Sequence, residues 1–396
     1  MEKLAINGGS PVRENKIPIS RPDFGEEEIK AASEVIKSGL VEGNGPKTEE
    51  FENNLAKYLN AKHAIFVNSC TSALHLSLIT TNSKNGELIS PTYTFNSSAI
   101  VGTFMNLKLT LADCEYDTGN ISIDSIKNNL NDKTKVIIPV HFAGQPCDMD
   151  EINEIGRDRG ILVVEDAAHA IGSSYKGKKA GNLADIGCLS FHGTKNLICG
   201  EGGALITNDD KIAEKARIFE EKGTMKYFFK KEKNKLGRTQ GVVSEGLSYV
   251  QSDILAAIAL EQLKKIDIMN AKRDRIAQFY NNELKDLLNI KIPYLKKDRT
   301  TNWHLYTVKV PFRDRDFIIK ALNAEGISSN IHYLPLHLHE YYKQLGYKRG
   351  QFPNAENYFN YIIKLPIYSG LKLEDAKDVV EAFKKVINSL EYQNGT

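Results

Sequence analysis

A lysine and an aspartate can together run carbanion chemistry on a bound ring cofactor, and this chain holds one of each at positions a strand-and-turn fold would bring together. Lys195 lies in Ser190-Phe-His-Gly-Thr-Lys-Asn196, followed by Gly200-Glu-Gly-Gly203, and Asp166 ends the apolar run Ile161-Leu-Val-Val-Glu-Asp166. The intervening chain is long enough for one further strand and a turn. A lysine amine condenses with the aldehyde of pyridoxal phosphate to a Schiff base, and a carboxylate against the pyridine nitrogen keeps that ring protonated, so that it accepts carbanion electrons. Taken singly, a lysine is an ordinary surface cation and an aspartate at a strand end an ordinary turn residue or cap. Their combination points to the cofactor. A phosphate group needs backbone N–H donors as well, and Asn68-Ser-Cys-Thr-Ser-Ala-Leu-His-Leu76 turns from small polar residues into an apolar helix. The N–H groups of Thr71 and Ser72 would there face an anion with favourable helix polarity; without a ligand the same residues make a plain N-cap.

The elements that must position these groups are legible as period-2 and period-3.6 patterns. His63–Asn68, Lys135–His141, Gly160–Glu165 and Gly203–Thr207 read as short apolar strands, and Asp124–Leu130 and Asp148–Ile155 as crossover helices between them. Such alternation predicts an α/β fold with a mostly parallel sheet covered on both faces, and ligands at the carboxyl ends of its strands. A long helical pattern from Ser252 to Leu287 leads into a smaller α+β domain, with strands expected at Trp303–Val310 and Ser328–His332 and helices around 315–325 and 374–390. The expected division is an N-terminal arm at 1–20, a large domain at 21–260 and a small domain at 261–396.

The composition sets limits. A chain of 396 residues with 41% hydrophobic content buries a full core, and 52 basic against 50 acidic side chains leave no excess charge for nucleic acid. The most basic run, Lys226–Lys235, reads as a solvated loop. The five cysteines at 70, 114, 147, 188 and 199 form no Cys-x-x-Cys pair, so reduced thiols and no metal site are expected. No run suits a membrane span and the first residues lack the apolar core of a signal peptide, so the cytoplasm is the expected location.

With these groups in place, the chain resembles the nucleotide-sugar aminotransferases of the DegT family. The resemblance rests on Asn68-Ser-Cys-Thr-Ser-Ala, Ser90-Pro-Thr-Tyr-Thr-Phe95, Pro139-Val-His-Phe-Ala-Gly144, Val164-Glu-Asp-Ala-Ala-His169, Ser190 to Asn196 and Gly200 to Gly203. It implies the aspartate-aminotransferase fold (fold type I), with a seven-stranded, mostly parallel sheet between helices and a smaller C-terminal α+β domain. It also implies pyridoxal phosphate as cofactor and a homodimer with shared active sites. By resemblance, Lys195 binds the cofactor and moves the proton, and Asp166 pairs with the ring nitrogen. Thr71, Ser72 and Ser190 hold the phosphate, Phe95 stacks on the ring, and His169 lies near the ring oxygen. His192, His332 and Tyr333 are implied substrate contacts, the last two in the loop Asn330-Ile-His-Tyr-Leu-Pro-Leu-His337. Gly246-Leu-Ser-Tyr-Val-Gln-Ser-Asp253 matches a segment that reaches the phosphate of the other subunit, but Ser248 stands where many members have Asn and Val250 where they have Arg or Asn. This version of the segment is similar to the branch that makes 4-amino-4,6-dideoxygalactose on a thymidine diphosphate carrier.

Lysine rather than histidine at 195 favours transamination over the dehydration run by related enzymes. The expected reaction is a ping-pong transfer of an amino group from L-glutamate to a nucleoside-diphosphate-linked keto-deoxysugar, with dTDP-4-keto-6-deoxyhexose as acceptor. Two other readings stay open: a 3-keto sugar or cyclitol ketone as acceptor, since Ile6-Asn-Gly-Gly-Ser-Pro-Val-Arg13 resembles such members, or a non-enzymatic sensor that holds the cofactor or a sugar nucleotide.

Overall fold

A computed structural model describes residues 2–225 and 241–394; the basic run Lys226–Lys235 lies outside them. The main body is a seven-stranded sheet of β1 (His63–Val67), β2 (Glu87–Pro91), β3 (Lys108–Ala112), β4 (Thr134–Ile137), β5 (Leu162–Asp166), β6 (Ile186–Ser190) and β7 (Gly203–Thr207), in the order β1-β7-β6-β5-β4-β2-β3. Strands β6, β5, β4, β2 and β3 run parallel, and β7 is antiparallel to both of its neighbours. The strands are continuous apolar runs because both faces are covered; every residue of β2, β6 and β7 is buried. One face packs under α2 (Pro46–Leu59) and the first half of a long helix, against which α1 (Glu26–Ser38) packs in turn, and the other carries α3 (Cys70–Thr80).

The parallel order brings the carboxyl ends of β1, β2, β5 and β6 to one edge, where β7 begins. Gly203 opens β7 opposite Val67 of β1 and Ser190 of β6. A Cβ at Gly203 would stand 2.4 Å from the Cys70 backbone nitrogen, so only glycine allows this strand to pass so close to the start of α3.

After the crossover helices α4 (Ile123–Asn129) and α5 (Met149–Arg159), and α6 (Asp210–Glu220), comes α7 (Asp253–Leu284). Its 32 residues span about 48 Å. Its apolar face passes from the sheet's core at Met269 to a second core at Ile276, Ala277, Tyr280 and Leu284. The proposed boundary between residues 260 and 261 falls within this helix. The second core lies between α8 (Arg315–Ala324), α9 (Leu373–Asn394) and an antiparallel pair, β8 (Tyr306–Lys309) with β9 (Ile362–Leu365).

Two sequence expectations differ here. The strand at Trp303–Val310 is shorter, because Trp303 adopts φ +49° and turns the chain before β8. The segment Ser328–His332 is no strand; its backbone bonds go to separate partners, Ser328 N–H to the Ile17 carbonyl and Lys364 N–H to the Asn330 carbonyl, while Tyr333 N–H donates to Tyr93 Oη. The true partner of β8 is β9. The N-terminal arm lies on this second body, where Glu325 accepts from Ala5 N–H at 2.8 Å and Val12 N–H at 3.1 Å, and Ile17 bridges to Ile327. Among the described residues no helix is long and apolar enough to cross a membrane.

Candidate active site

The turn from β1 into α3 is built as the sequence suggests, with one refinement. Ser69 caps α3, its Oγ accepting from Ser72 N–H at 3.1 Å, and Ser72 Oγ donates to Asn68 Oδ1 at 2.6 Å. Both Ser72 groups are therefore engaged within the turn, and its side chain is buried. The first-turn N–H groups of Cys70 and Thr71 have no intrahelical partner, as at every helix start. Thr71 Oγ1 meets Ser97 Oγ at 2.7 Å, extending the donor cluster from the β1 side to the loop after β2.

A cavity of about 430 Å³ opens beside this turn. Asp166 enters it from the end of β5, Ser190 from the end of β6, and Lys195 from the turn that follows β6, held by Lys195 N–H to the His192 carbonyl at 2.9 Å. Asp166 is buried; its Oδ2 accepts from Ser98 Oγ at 2.6 Å and its Oδ1 from Ala168 N–H at 3.1 Å. Burial raises its pKa above the ordinary aspartate value, against the pull of those two donors and of Lys195. Lys195 is lowered in turn by burial, which the Asp166 charge opposes. Phe95 stands in the cavity as a largely exposed apolar ring, 59% accessible, with the Tyr333 ring 6.0 Å away.

His169 packs its ring 4.2 Å from that of His304, and its Nε2 meets Tyr333 Oη at 3.2 Å. His169 Nδ1 is buried and has no hydrogen-bond partner among the described residues. Burial pushes its pKa well down, so the ring is neutral at physiological pH. His332 and Tyr333 close the cavity from the small body, and His192 closes it from the Lys195 turn.

The DegT/DnrJ/EryC1/StrS aminotransferase family model matches residues 22–384 of the chain. The chain belongs to that family. It is 36% identical to the spore coat polysaccharide biosynthesis protein SpsC of Bacillus subtilis over 95% of this chain and 98% of that one. The PLP form of the putative sugar aminotransferase Spr1654 from Streptococcus pneumoniae superposes with a TM-score of 0.88 at 30% identity, covering 94% of this chain and 99% of that one. Helicobacter pylori PseC, an aminotransferase involved in the biosynthesis of pseudaminic acid, gives 0.87 at 28% identity, with 95% and 100% covered. As a DegT-family aminotransferase, the protein uses pyridoxal phosphate.

The residues present fit that group. Among the described residues, a buried carboxylate with no ion pair, an orphaned histidine nitrogen, an exposed aromatic ring and first-turn N–H groups with no intrahelical partner are what a pyridinium ring, its hydroxyl oxygen, its face and its phosphate would satisfy. Of the residues expected from the sequence, Lys195, Asp166, Thr71, Phe95, His169, Ser190, His192, His332 and Tyr333 all line the one cavity. Ser72 stands behind the turn, and Ser248 lies outside the cavity with its side chain exposed, its carbonyl accepting from Asn68 Nδ2 at 3.4 Å. Sequence reasoning missed Ser98, which donates to Asp166, and His304, which backs His169 and is tied to Asn196 Oδ1 through its own Nδ1 at 3.1 Å.

Proposed function

We propose that the enzyme transfers an amino group from L-glutamate to a keto-deoxysugar carried on a nucleoside diphosphate, with dTDP-4-keto-6-deoxyhexose as acceptor. The observation that carries this reading is one cavity in which a half-buried Lys195 amine lies with the buried Asp166 carboxylate, in a chain of an aminotransferase family. A neighbour described as a sugar aminotransferase and a relative in polysaccharide biosynthesis support a sugar acceptor on the way to a surface polysaccharide. The thymidine-diphosphate branch is supported by Gly246–Asp253 alone. On the same reading the enzyme works in the cytoplasm.

When bound, pyridoxal phosphate supplies an aldehyde for an amine and an electron sink for the carbon beside it. The chain supplies the rest. Lys195, whose lowered pKa makes the neutral amine more available near neutrality, would be the residue that joins the cofactor's aldehyde, and its Nζ would take and return the proton at the substrate carbon. Asp166, oriented by Ser98 and Ala168, would hold a protonated ring nitrogen. The Cys70 and Thr71 N–H groups, with the hydroxyls of Thr71 and Ser190, would hold the phosphate. Phe95 would cover one face of the ring, and His169 would meet the ring oxygen. His192, His332 and Tyr333 face the substrate.

The test is product analysis. Mass spectrometry of reactions with glutamate and dTDP-4-keto-6-deoxyglucose should show the aminated sugar and 2-oxoglutarate in equal amounts. Amination of a 3-keto sugar or cyclitol ketone with none of the 4-keto sugar would replace the acceptor proposed here.

A further inference from the structure

Strand β9 carries one charged residue, Lys364, and buries it to 4% exposure. Burying an ammonium group is costly unless a charge or several acceptors meet it. Among the described residues Lys364 makes no ion pair; its Nζ meets His332 Nε2 at 3.5 Å. The tautomer of His332 follows from its other nitrogen. Nδ1 lies 2.9 Å from the Ile331 carbonyl and must donate to it, so Nε2 presents a lone pair to the ammonium. Lys364 thus has one neutral acceptor and spare donors.

Those donors face a recess lined by Lys364, Asn330 and His304, which shares Lys195, His332 and Tyr333 with the main cavity. Ile19 and Ser20 of the N-terminal arm form part of its wall. Cys70, Thr71 and Ser190, where the phosphate is proposed to sit, line the main cavity and not this recess, so the cofactor phosphate is not the anion that Lys364 awaits. An α-amino acid, by contrast, carries a carboxylate on the very carbon whose proton Lys195 is proposed to move.

We propose that Lys364, backed by His332, is the anchor for a carboxylate of the amino donor. This rests on the aminotransferase reading above. A carboxylate on the sugar acceptor would offer the same chemistry, and the test separates the two.

The anchor is pH-sensitive. Burial, and next the charge of Lys195, hold the Lys364 pKa down to about 7. The other titratable groups around the recess are His169, His304, His332 and Tyr333. Burial lowers all three histidines, His332 to about 4, and raises Tyr333, so these four are neutral across the window around pH 7. Below pH 7 Lys364 is charged and binds a carboxylate; above it the free site loses its charge.

The experiment is calorimetry on the cofactor-loaded enzyme with glutarate, which has carboxylates but neither amine nor ketone to react, alongside spectral titration with L-glutamate. Wild-type affinity for glutarate should fall about tenfold between about pH 6 and about pH 8. Lys364→Arg, whose guanidinium stays charged, should lose that fall. Lys364→Met should need about ten- to hundredfold more glutarate at pH 6 and correspondingly more glutamate for half-conversion, with the visible cofactor band intact. Wild-type affinity in Lys364→Met, or an unchanged pH profile in Lys364→Arg, overturns the proposal. Should Lys364→Met not fold, the Lys364→Arg profile decides alone. Loss of binding confined to a nucleotide uronate, with glutarate unaffected, also overturns it in favour of the acceptor. If wild-type enzyme accepts nitrogen from no amino acid yet binds glutarate in this pH-dependent way, the aminotransferase reading fails and the anchor stands.

Discussion

Burial shifts the pKa values of Lys195 and Asp166 away from their values in water, with opposite sign. Burial lowers the lysine toward the neutral amine and raises the aspartate toward the neutral acid, and each opposes the other's shift. Lys195→Ala should abolish turnover, by at least about 10⁴-fold, because nucleophile and proton carrier are lost together. The cofactor should still bind through the phosphate turn and Asp166, read as a free-aldehyde spectrum; turnover near the wild-type rate would refute the assignment. Asp166→Asn should slow the glutamate half-reaction by about 10²- to 10⁴-fold, since an amide cannot keep the ring nitrogen protonated. Stopped-flow decay of the visible band measures it. Ser98→Ala removes one donor to Asp166, and a smaller loss of about tenfold is expected in the same measurement.

The elements behind these residues were legible to different depths. The core strands were plain because a sheet covered on both faces demands unbroken apolar runs, as in Val163 and Val164 of β5. The turn into α3 was plain because Ser69 and Ser72 announce a helix start. Strand β9 was not, since Ile362–Leu365 directly follows the helix Pro353–Tyr361 with no turn residue between them. Lys364 on it looked like any other lysine. Nor does any spacing tie Ser98 to Asp166; they meet only once the short helix Ser97–Ile100 that follows β2 comes to lie against the end of β5. The arm's destination was hidden for a similar reason: Glu325 holds it through N–H groups, which leave no mark on side-chain pattern. Glu325 is buried and also pairs with Lys385 at 3.0 Å. Glu325→Ala should therefore cost about 3–5 kcal/mol in denaturant unfolding and speed hydrogen exchange over residues 5–17. Asp253 accepts from Lys47 N–H at 2.9 Å and from Thr48 N–H and Oγ1 at 2.7 Å, so it ties the start of α7 to the start of α2. Its replacement by Ala should cost about 1–3 kcal/mol in the same assay.

For the whole molecule, the unaccounted surface lies around α1. Ile29, Ile36 and Leu40 are each more than half exposed, and Leu247 beside Ser248 is exposed as well. Ile29 and Ile36, seven residues apart, share one face of α1, and exposed apolar side chains of this kind suit an interaction surface. We propose that a second copy of the chain covers it, which would carry Ser248 toward a neighbouring cavity, and sedimentation should give a dimer at assay concentration; a fully active monomer would contradict this. The central claim, that a Lys195-bound cofactor accepts nitrogen from glutamate, is tested most directly by the absorption spectrum of the purified, cofactor-loaded enzyme during titration with L-glutamate. The account predicts that the visible band gives way to a near-ultraviolet band and that 2-oxoglutarate restores it. A preparation with no visible band, or one whose band survives saturating glutamate and every other amino acid tried, would contradict it.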